Sequence, residues 1–215
     1  MDDSIIQESL GELVANQLRK SIWNKELKLG ERLIENNLAE KYGVSRSTIR
    51  DALKILEYEE MVTIKQRKGT YVSKLSQKDS LEIIELRIMV ESYAFVKALP
   101  YLTDQHFEYL ENILDKMKQK VEVKNWNDLF NLDIQFHKYI VDLSNNSRVI
   151  KIYDSMQTQI RTYLLYLDDI YSGYDSFFYE QKELLDALRS KDPNIVDKEI
   201  RKHIAYVEEK FIVDS

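Results

Sequence analysis

The sequence predicts a mostly α-helical chain, with an N-terminal winged helix-turn-helix (three helices plus a β-hairpin wing) followed by an all-α bundle of six to seven helices. Three observations support this fold class. Only five Gly and two Pro occur among 215 residues, so few positions interrupt a helix. A pair of short helices joined by a glycine turn fits residues 38–56. A strand-like alternation follows the pair, and only helical periodicity comes after it.

The first predicted helix covers residues 6–23, and a turn centred on Gly30 leads from it to the helix pair. Gly43 ends the first short helix, because glycine readily adopts the left-handed conformation that such a turn needs. Ser45 is a natural N-cap for the second short helix. The inward side of this helix-turn-helix is apolar and consists of Leu38, Val44, Ile49, Leu53 and Leu56.

The outward side of the second short helix begins with two hydroxyls, on Ser47 and Thr48, and two guanidiniums, on Arg46 and Arg50. Hydroxyls and helix N-terminal N–H groups suit phosphates, and Arg suits phosphates or guanine edges in the major groove. An ordinary surface helix with a capping serine would show the same spacing. The helix pair alone therefore leaves both interpretations open.

The stretch after the helix pair predicts a β-hairpin with a basic tip. Val62 and Ile64 point to one side, residues 71–72 form the return strand, and residues 66–69 form the turn. A lysine at a hairpin tip can serve solubility alone. A basic hairpin directly after a helix-turn-helix is nevertheless typical of a wing, and this order favours DNA binding.

The net charge of −6 is unevenly distributed along the chain. Residues 1–75 contain 13 Lys and Arg against 12 Asp and Glu, whereas the remaining 140 residues contain 18 against 25. Because the local field governs encounter with phosphates, the charge permits DNA binding by the first part only. Cysteine is absent, which excludes disulfides and thiolate metal sites. No signal pattern or membrane-spanning run occurs, so we expect a cytoplasmic protein.

A short polar linker, residues 73–78, is followed by six predicted helices. They cover residues 79–99, 104–123, 126–143, 147–171, 175–190 and 193–212. Pro100 ends the first, because the residue before proline disfavours helical conformation. Asp192 and Pro193 suit the N-cap and first position of the last. We therefore expect a DNA-binding domain at residues 1–75 and an all-α effector-binding and dimerisation domain at residues 79–215.

Several short motifs occur together in this order. The first domain contains Leu29-Gly30, Leu38-Ala39-Glu40, Gly43-Val44-Ser45-Arg46, Arg50-Asp51-Ala52-Leu53 and Gly69-Thr70-Tyr71-Val72. The second contains Glu85-Leu86-Arg87 with Glu91, Asp133-Ile134-Gln135-Phe136-His137, Ser144-Asn145-Asn146 and His203-Ile204. The first set resembles the GntR family of bacterial transcription regulators, and the second resembles the FCD ligand-sensing domain of its FadR-like branch.

The resemblance implies a specific set of DNA-contacting residues. They comprise the start of the recognition helix, one residue opening the preceding helix and two wing residues: Ser45, Arg46, Ser47, Thr48, Arg50, Asn36, Lys68 and Gly69. Many relatives have proline where this chain has Thr48, although FadR-like members also use threonine there. The bottom-up interpretation agrees, because most of these side chains are polar and predicted to point outward.

A second candidate site begins with Asp133 and His137, which are four residues apart on a predicted helix and can ligate one cation. The resemblance adds His203 and implies a further histidine at a position that Gln181 occupies here. A glutamine amide oxygen is a poorer ligand than imidazole for zinc or nickel. Two hypotheses therefore remain: a three-ligand divalent metal site completed by water, or a hydrogen-bonded Asp133–His137 pair beside a core histidine.

The resemblance also implies a pocket for a small effector near these residues. Arg87 can offer its planar guanidinium to a carboxylate, although an i,i+4 ion pair with Glu91 is the alternative. Arg161 is a second candidate, for which the sequence favours a solvated helix face. Asn146 is expected to line the pocket.

These expectations combine into an effector-controlled regulator, in the simplest case a repressor. One winged helix covers one half-site, so a homodimer on a pseudo-palindromic DNA operator is expected. The effector, a small carboxylate metabolite, would alter DNA affinity by linkage. A ligand-independent architectural DNA-binding protein is one alternative. A metal-dependent hydrolase is another, but the cluster lacks an evident nucleophile or general base, so we do not expect an enzyme.

Overall fold

A computed structural model describes residues 8–168 and 174–213 of the chain. The chain divides into two compact units, residues 1–74 and 75–215. Among the described residues, no helix has the length and apolar character needed to cross a membrane. The expected helix start at residue 6 and helix end at residue 171 lie outside the described residues.

From residue 8 onward, where its description begins, the first unit contains three helices and three short strands. Its elements are α1 (Leu10–Trp23), β1 (Arg32–Leu33), α2 (Glu35–Tyr42), α3 (Arg46–Tyr58), β2 (Val62–Lys65) and β3 (Gly69–Val72). Leu18 of α1 and Ile49 and Leu53 of α3 are almost fully buried, so α1 covers the apolar side of the recognition helix. Burial of these side chains stabilises the unit by roughly 1.5–3 kcal/mol each.

The helix-turn-helix has the local signals that the sequence predicted. Gly43 follows α2 with φ of 65°, in the left-handed region. Ser45 precedes α3 with extended backbone, and its side chain accepts a hydrogen bond from the backbone N–H of Thr48. The sharp turn and the cap together fix the direction in which α3 leaves the turn.

The wing contains one strand more than the sequence predicted. β3 pairs antiparallel with β2, as expected for a hairpin, and also with β1, where Arg32 is opposite Tyr71. The segment around Gly30, expected to be only a turn, therefore ends in a strand. Two residues are too few to show alternation in the sequence, and β1 exists because β3 provides a partner.

The second unit is a bundle of six helices in the described residues. They are α4 (Gln77–Ala98), α5 (Asp104–Glu122), α6 (Trp126–Leu143), α7 (Ser147–Asp168), α8 (Tyr174–Ser190) and α9 (Pro193–Val213), with a 3₁₀ turn at Leu99–Tyr101. α4 packs against α6, α7 and α9, and α5 packs against α6 and α8. Large side chains such as Phe95, Phe136 and Tyr153 fill the core.

Helix boundaries in the second unit follow their capping residues. α4 begins two residues earlier than expected, because Ser76 and Asp79 form a capping box. The connecting segment is therefore residues 73–76. α4 ends at Ala98, just before Pro100, as the proline predicted. Asp192 accepts hydrogen bonds from the backbone N–H groups of Asn194 and Ile195, at 2.8 and 3.3 Å, and so caps α9.

Candidate DNA interface and effector site

The N-terminus of α3 presents a connected set of exposed polar groups. Ser45 Oγ lies 2.7 Å from Ser47 Oγ and 2.8 Å from Thr48 Oγ1. Arg46 and Arg50 extend from the same end of the helix, with side chains that are 57% and 56% exposed. This arrangement provides hydroxyls, backbone N–H groups and two cations to an anionic ligand.

Glu35, at the start of α2, holds the two arginines. Its Oε2 accepts from Arg50 Nε at 2.9 Å and from Arg46 Nη2 at 3.3 Å. These three residues, with Asn36, line an open cleft of about 300 Å³. The carboxylate therefore fixes the guanidiniums beside Asn36 before any ligand is present.

The opposite wall of this cleft comes from the sheet. Arg32 and Gly69 line it together, and a Cβ on Gly69 would lie only 3.2 Å from Arg32 Nε. Gly69 has φ of 110°, which also favours glycine there. Lys68 lies next to it in the turn, where its backbone carbonyl accepts from the Tyr71 hydroxyl at 3.1 Å. The cleft thus joins the start of α2, the recognition helix and the wing next to its turn.

The second candidate site lies within the helical unit. Ligand atoms of Asp133 and His137 on α6 and His203 on α9 all lie within 4.8 Å of one another. His137 Nε2 is 3.1 Å from His203 Nε2 and 3.6 Å from Asp133 Oδ1. Asp133 and His137 are buried, and His203 is partly buried. Residues on two helices therefore converge on one point, as the sequence predicted for a cation site.

Glu91 and Arg87 of α4 determine how His137 is oriented. Glu91 Oε2 lies 2.5 Å from His137 Nδ1, and Glu91 Oε1 accepts from Arg87 Nε at 2.7 Å. His137 therefore donates its Nδ1–H to the carboxylate, which leaves Nε2 to face Asp133 and His203. Arg87 forms the ion pair that was one of its two predicted roles.

The charges around this point are strongly perturbed. Burial alone would raise the pKa of Glu91. Arg87 and His137 favour the ionised carboxylate more strongly, so this pKa falls to about 2. Burial raises the pKa of Asp133, and His137 and Arg87 oppose that rise only in part. Burial lowers the pKa of His203 well below its usual value, so its imidazole is neutral and has a lone pair for a ligand.

Gln181 of α8 lies at the same point. Its amide Nε2 donates to Asp133 Oδ1 and lies 3.1 Å from His137 Nε2, while its buried Oε1 has no hydrogen-bond partner. Rotating the amide by half a turn would replace these Nε2 contacts and direct Oε1 toward the cluster, where it could face a cation. The residues therefore fit a divalent cation held by three protein ligands, with Gln181 as a weak fourth.

The other two predicted effector residues make hydrogen bonds with residues outside this cluster. Arg161 is buried, whereas the sequence favoured a solvated helix face for it. Burial lowers the pKa of its guanidinium to about 10. Its Nη2 donates a hydrogen bond to the side-chain oxygen of Asn127 on α6. Asn146 accepts from the backbone N–H groups of Arg148 and Val149 and donates to the Tyr93 hydroxyl at 3.2 Å. It therefore caps α7.

Family models match both units of the chain. Residues 10–72 match the family model described as "Bacterial regulatory proteins, gntR family", and residues 82–206 match that of the FCD domain. The second match alone covers more than half of the chain. The chain belongs to the GntR family of regulators and has an FCD domain. It is thus a DNA-binding transcriptional regulator whose C-terminal domain is of an effector-binding type.

Curated relatives of this GntR regulator include repressors. It is 28% identical over 207 residues to the gluconate operon transcriptional repressor of Bacillus licheniformis, covering 94% of this chain and 85% of the relative. It is 25% identical to the Uxu operon regulator of Haemophilus influenzae, covering 94% and 80%.

Solved structures share the fold of this GntR regulator. One of a GntR regulator from Rhodococcus sp. RHA1 has a TM-score of 0.84 at 23% identity, covering 97% of this chain and all of the other. E. coli McbR/YncC has a TM-score of 0.78 at 23% identity, with the same coverage.

Sequence reasoning missed three residues of these sites in the GntR regulator, and one contact of a fourth. Arg32 and Glu35 line the cleft beside the recognition helix. Glu91 orients His137, and the buried Tyr153 hydroxyl, which has no hydrogen-bond partner, is coupled electrostatically to Glu91 and Asp133. Glu35 and Glu91 carried a usable signal, because each is an acid near a candidate arginine. Nothing in the sequence distinguished Tyr153 from an aromatic residue that only packs in the core.

Proposed function

We propose that this regulator is a homodimeric repressor, acting in the cytoplasm, whose affinity for a pseudo-palindromic operator is controlled by a small carboxylate metabolite. The first domain (residues 1–75) would bind DNA, and the second (residues 79–215) would bind the effector and dimerise. The observation that carries this proposal is the convergence of Asp133, His137 and His203 on one buried point. The proteins named as gluconate operon repressors support it, since gluconate is a carboxylate.

The DNA interface would use the cleft and the residues around it. Arg46 and Arg50 would break their ion pairs with Glu35 and contact phosphates or guanine edges instead. Asn36 lies beside them in the cleft. The hydroxyls of Ser45, Ser47 and Thr48 would contact phosphates together with the backbone N–H groups at the helix N-terminus. Lys68 and Gly69 would add contacts from the wing. Exposure of both arginine side chains supports this assignment.

The effector would bind beside a divalent cation, zinc or nickel, held by Asp133, His137 and His203, with Gln181 in the fourth position. Such an ion supplies positive charge and open coordination positions for carboxylate oxygens. Glu91 keeps His137 in the tautomer that directs Nε2 inward. A divalent ion and Arg87 together exceed the charges of Asp133 and Glu91 by one positive charge, which favours an anionic ligand.

Arg87, Arg161 and Asn146 have more limited roles in this proposal. Arg87 would act on the effector through its field, because its guanidinium is already paired with Glu91. Arg161 places a further buried cation in the same unit, near the start of α6. Asn146 would influence the pocket through its contact with Tyr93.

Effector control follows from linkage. If the effector binds one arrangement of the two DNA-binding units more tightly than another, its binding must change the affinity for the operator. By linkage, operator DNA then changes the affinity for the effector by the same factor. A ligand without such a preference would bind without any regulatory effect.

The decisive experiment is a thermal-shift screen of carboxylate metabolites against protein loaded with zinc or nickel, followed by gel-shift titrations with the hits. We expect at least one carboxylate that raises the melting temperature and changes operator affinity. The variants Arg46→Ala and Arg50→Ala should lose specific operator binding yet keep the thermal shift. Wild-type operator affinity in both variants would contradict the DNA assignment, and a screen without hits would contradict the effector assignment.

A further inference from the structure

A groove lies between α4 and α9 on the surface of the second unit. It has a volume of about 540 Å³, which is within the usual range for small-molecule sites. Its apolar lining comes from both helices and from the 3₁₀ turn that follows α4, and consists of Met89, Tyr93, Val96, Pro100 and Pro193. Such a lining favours a ligand with an apolar body, because binding removes apolar surface from water.

The groove also contains a buried polar group without a partner. Ser92 lines it and is only 2% exposed, and its hydroxyl forms no hydrogen bond within the part of the chain that the structure describes. A helical serine commonly donates its hydroxyl to a backbone carbonyl of the preceding turn, as Ser155 and Ser190 do in this chain. The hydroxyl of Ser92 therefore remains available to a ligand.

The charged residues of the groove leave one positive charge uncompensated. Asp197 and Arg201 of α9 pair with each other, with 2.9 Å between Oδ2 and Nε. Lys97 of α4 is exposed and forms no ion pair among the described residues. A ligand with a single negative charge would therefore complement this groove.

The groove is distinct from the cluster of Asp133, His137 and His203. Its described lining includes none of these three residues. Glu91, which orients His137, directly precedes Ser92 on α4, and consecutive residues of a helix point in directions about 100° apart. The same stretch of α4 thus serves the cluster with one residue and the groove with the next.

We propose that this groove is a second ligand site of the regulator, and that it binds a small monoanion with an apolar body, such as an aromatic carboxylate. The apolar lining would bury the body of the ligand, and Lys97 would attract its anionic group. The Ser92 hydroxyl would donate a hydrogen bond to one of its oxygens. This site goes beyond the proposed function, because it needs no cation and lies outside the cluster.

The first test compares three probes on the full chain after treatment with a chelator. Phenylbutyrate has the apolar body and the charge, phenylbutanol lacks the charge, and butyrate lacks the aromatic ring. Ligand-observed NMR titration measures their dissociation constants. Phenylbutyrate should bind in roughly the millimolar range or more tightly, as its size allows, and about tenfold more tightly than either other probe. Equal binding of all three probes would contradict the chemical class.

The second test reverses the charge of the groove. Lys97→Glu should raise the dissociation constant of phenylbutyrate by about tenfold or more, because the carboxylate would meet a like charge. The matched control is Lys118→Glu, which makes the same change at an exposed position of α5 and should bind the probe like the wild type. The same affinity in both variants would remove Lys97 from the site.

The third test removes the hydroxyl of Ser92. Ser92→Ala should raise the dissociation constant of phenylbutyrate by roughly threefold to tenfold, the usual effect of one hydrogen bond. It should not lower the melting temperature of the chain without probe, because the hydroxyl has no partner there. A lower melting temperature with unchanged probe binding would show that the hydroxyl serves the fold and not a ligand.

The outcomes separate this inference from the proposed function. Binding to chelator-treated protein that Lys97→Glu weakens supports the groove. Binding that appears only after zinc is added and that Lys97→Glu leaves unchanged places phenylbutyrate at the cluster, which overturns the groove and supports the effector site. Binding that weakens as the protein concentration is raised would assign the groove to a contact with a second copy of the chain, and this also overturns the proposal.

Discussion

Glu91 is fully buried yet ionised, and it connects two otherwise separate groups. Its two carboxylate oxygens contact Arg87 and His137, so a single side chain compensates a buried cation and orients a candidate metal ligand. Removing one member of such a buried pair leaves the other charge without compensation. The stability of the second unit and the geometry of its site therefore depend on the same residue.

Glu91→Gln should lower the free energy of unfolding by about 3–5 kcal/mol, because Arg87 would keep its charge in the core without a counter-charge. Urea denaturation followed by circular dichroism measures the change. Glu85→Gln, at an exposed position of the same helix, is the control and should change stability by less than about 0.5 kcal/mol. Equal stability of the two variants would contradict the role assigned to Glu91.

Gln181→His should increase divalent metal affinity by about tenfold or more, because imidazole replaces an amide at the fourth position of the cluster. Isothermal titration with zinc or nickel measures this affinity. The control is Gln105→His, which adds a histidine at an exposed position of α5 and should leave the affinity of the cluster for metal unchanged. A Gln181→His variant that binds no more tightly than the wild type would show that α8 does not present this side chain to the ion.

Residue spacing predicted only part of this site. Asp133 and His137 could be found because four residues along one helix bring side chains together whatever the tertiary structure. The ion pair of Arg87 with Glu91 follows the same rule. The contact of Glu91 with His137 joins residues that are 46 apart in sequence. No helical periodicity encodes such a contact, so neither it nor the proximity of Tyr153 was predictable.

At the scale of elements, boundaries with a chemical signal were predictable and pairings between distant segments were not. Gly43, Pro100 and Pro193 act through their own backbone preferences, and the helices begin or end beside them as expected. β1 depends instead on the edge that β3 offers, about forty residues later in the chain. This pairing is what brings Arg32 to the wing.

Arg32→Ala should weaken operator binding and reduce the slope of log affinity against log salt by about 0.9, the value for one phosphate contact. Arg32 lies beside Gly69 and lines the cleft together with Arg46 and Arg50, so its cation adds to the same positive surface. Gel-shift titrations at several salt concentrations measure the slope. Lys20→Ala on α1 is the control; an unchanged slope in Arg32→Ala would remove this residue from the interface.

At the scale of the whole molecule, composition and periodicity were sufficient for the fold class. The low content of glycine and proline predicted a mostly helical chain. The one alternating stretch corresponds to the wing, and the six helical stretches after it correspond to the bundle. The local excess of basic residues around the helix pair was informative even though the net charge is −6. Which surfaces remain uncovered was not predictable, since exposed and buried apolar residues alternate along α4 with the same helical spacing.

Removing divalent ions should destabilise the folded chain, because an ion that binds only the folded state stabilises it by mass action, by about 2.7 kcal/mol at a hundredfold excess over its dissociation constant. Dialysis against a chelator should lower the melting temperature, and added zinc or nickel should restore it. The double variant Asp133→Asn, His203→Ala should not respond to the metal. Identical melting curves of wild-type protein with and without ions would contradict the cation site.

The division into two units has a consequence for how such regulators diversify. The apolar core of the second unit consists of residues between Ile84 and Ile204, and within the first unit α1 packs against the recognition helix. Mutations that alter which operator is read therefore need not disturb the residues that choose the metabolite. A chimera joined within residues 73–76 should accordingly inherit its target genes from one parent and its inducer from the other.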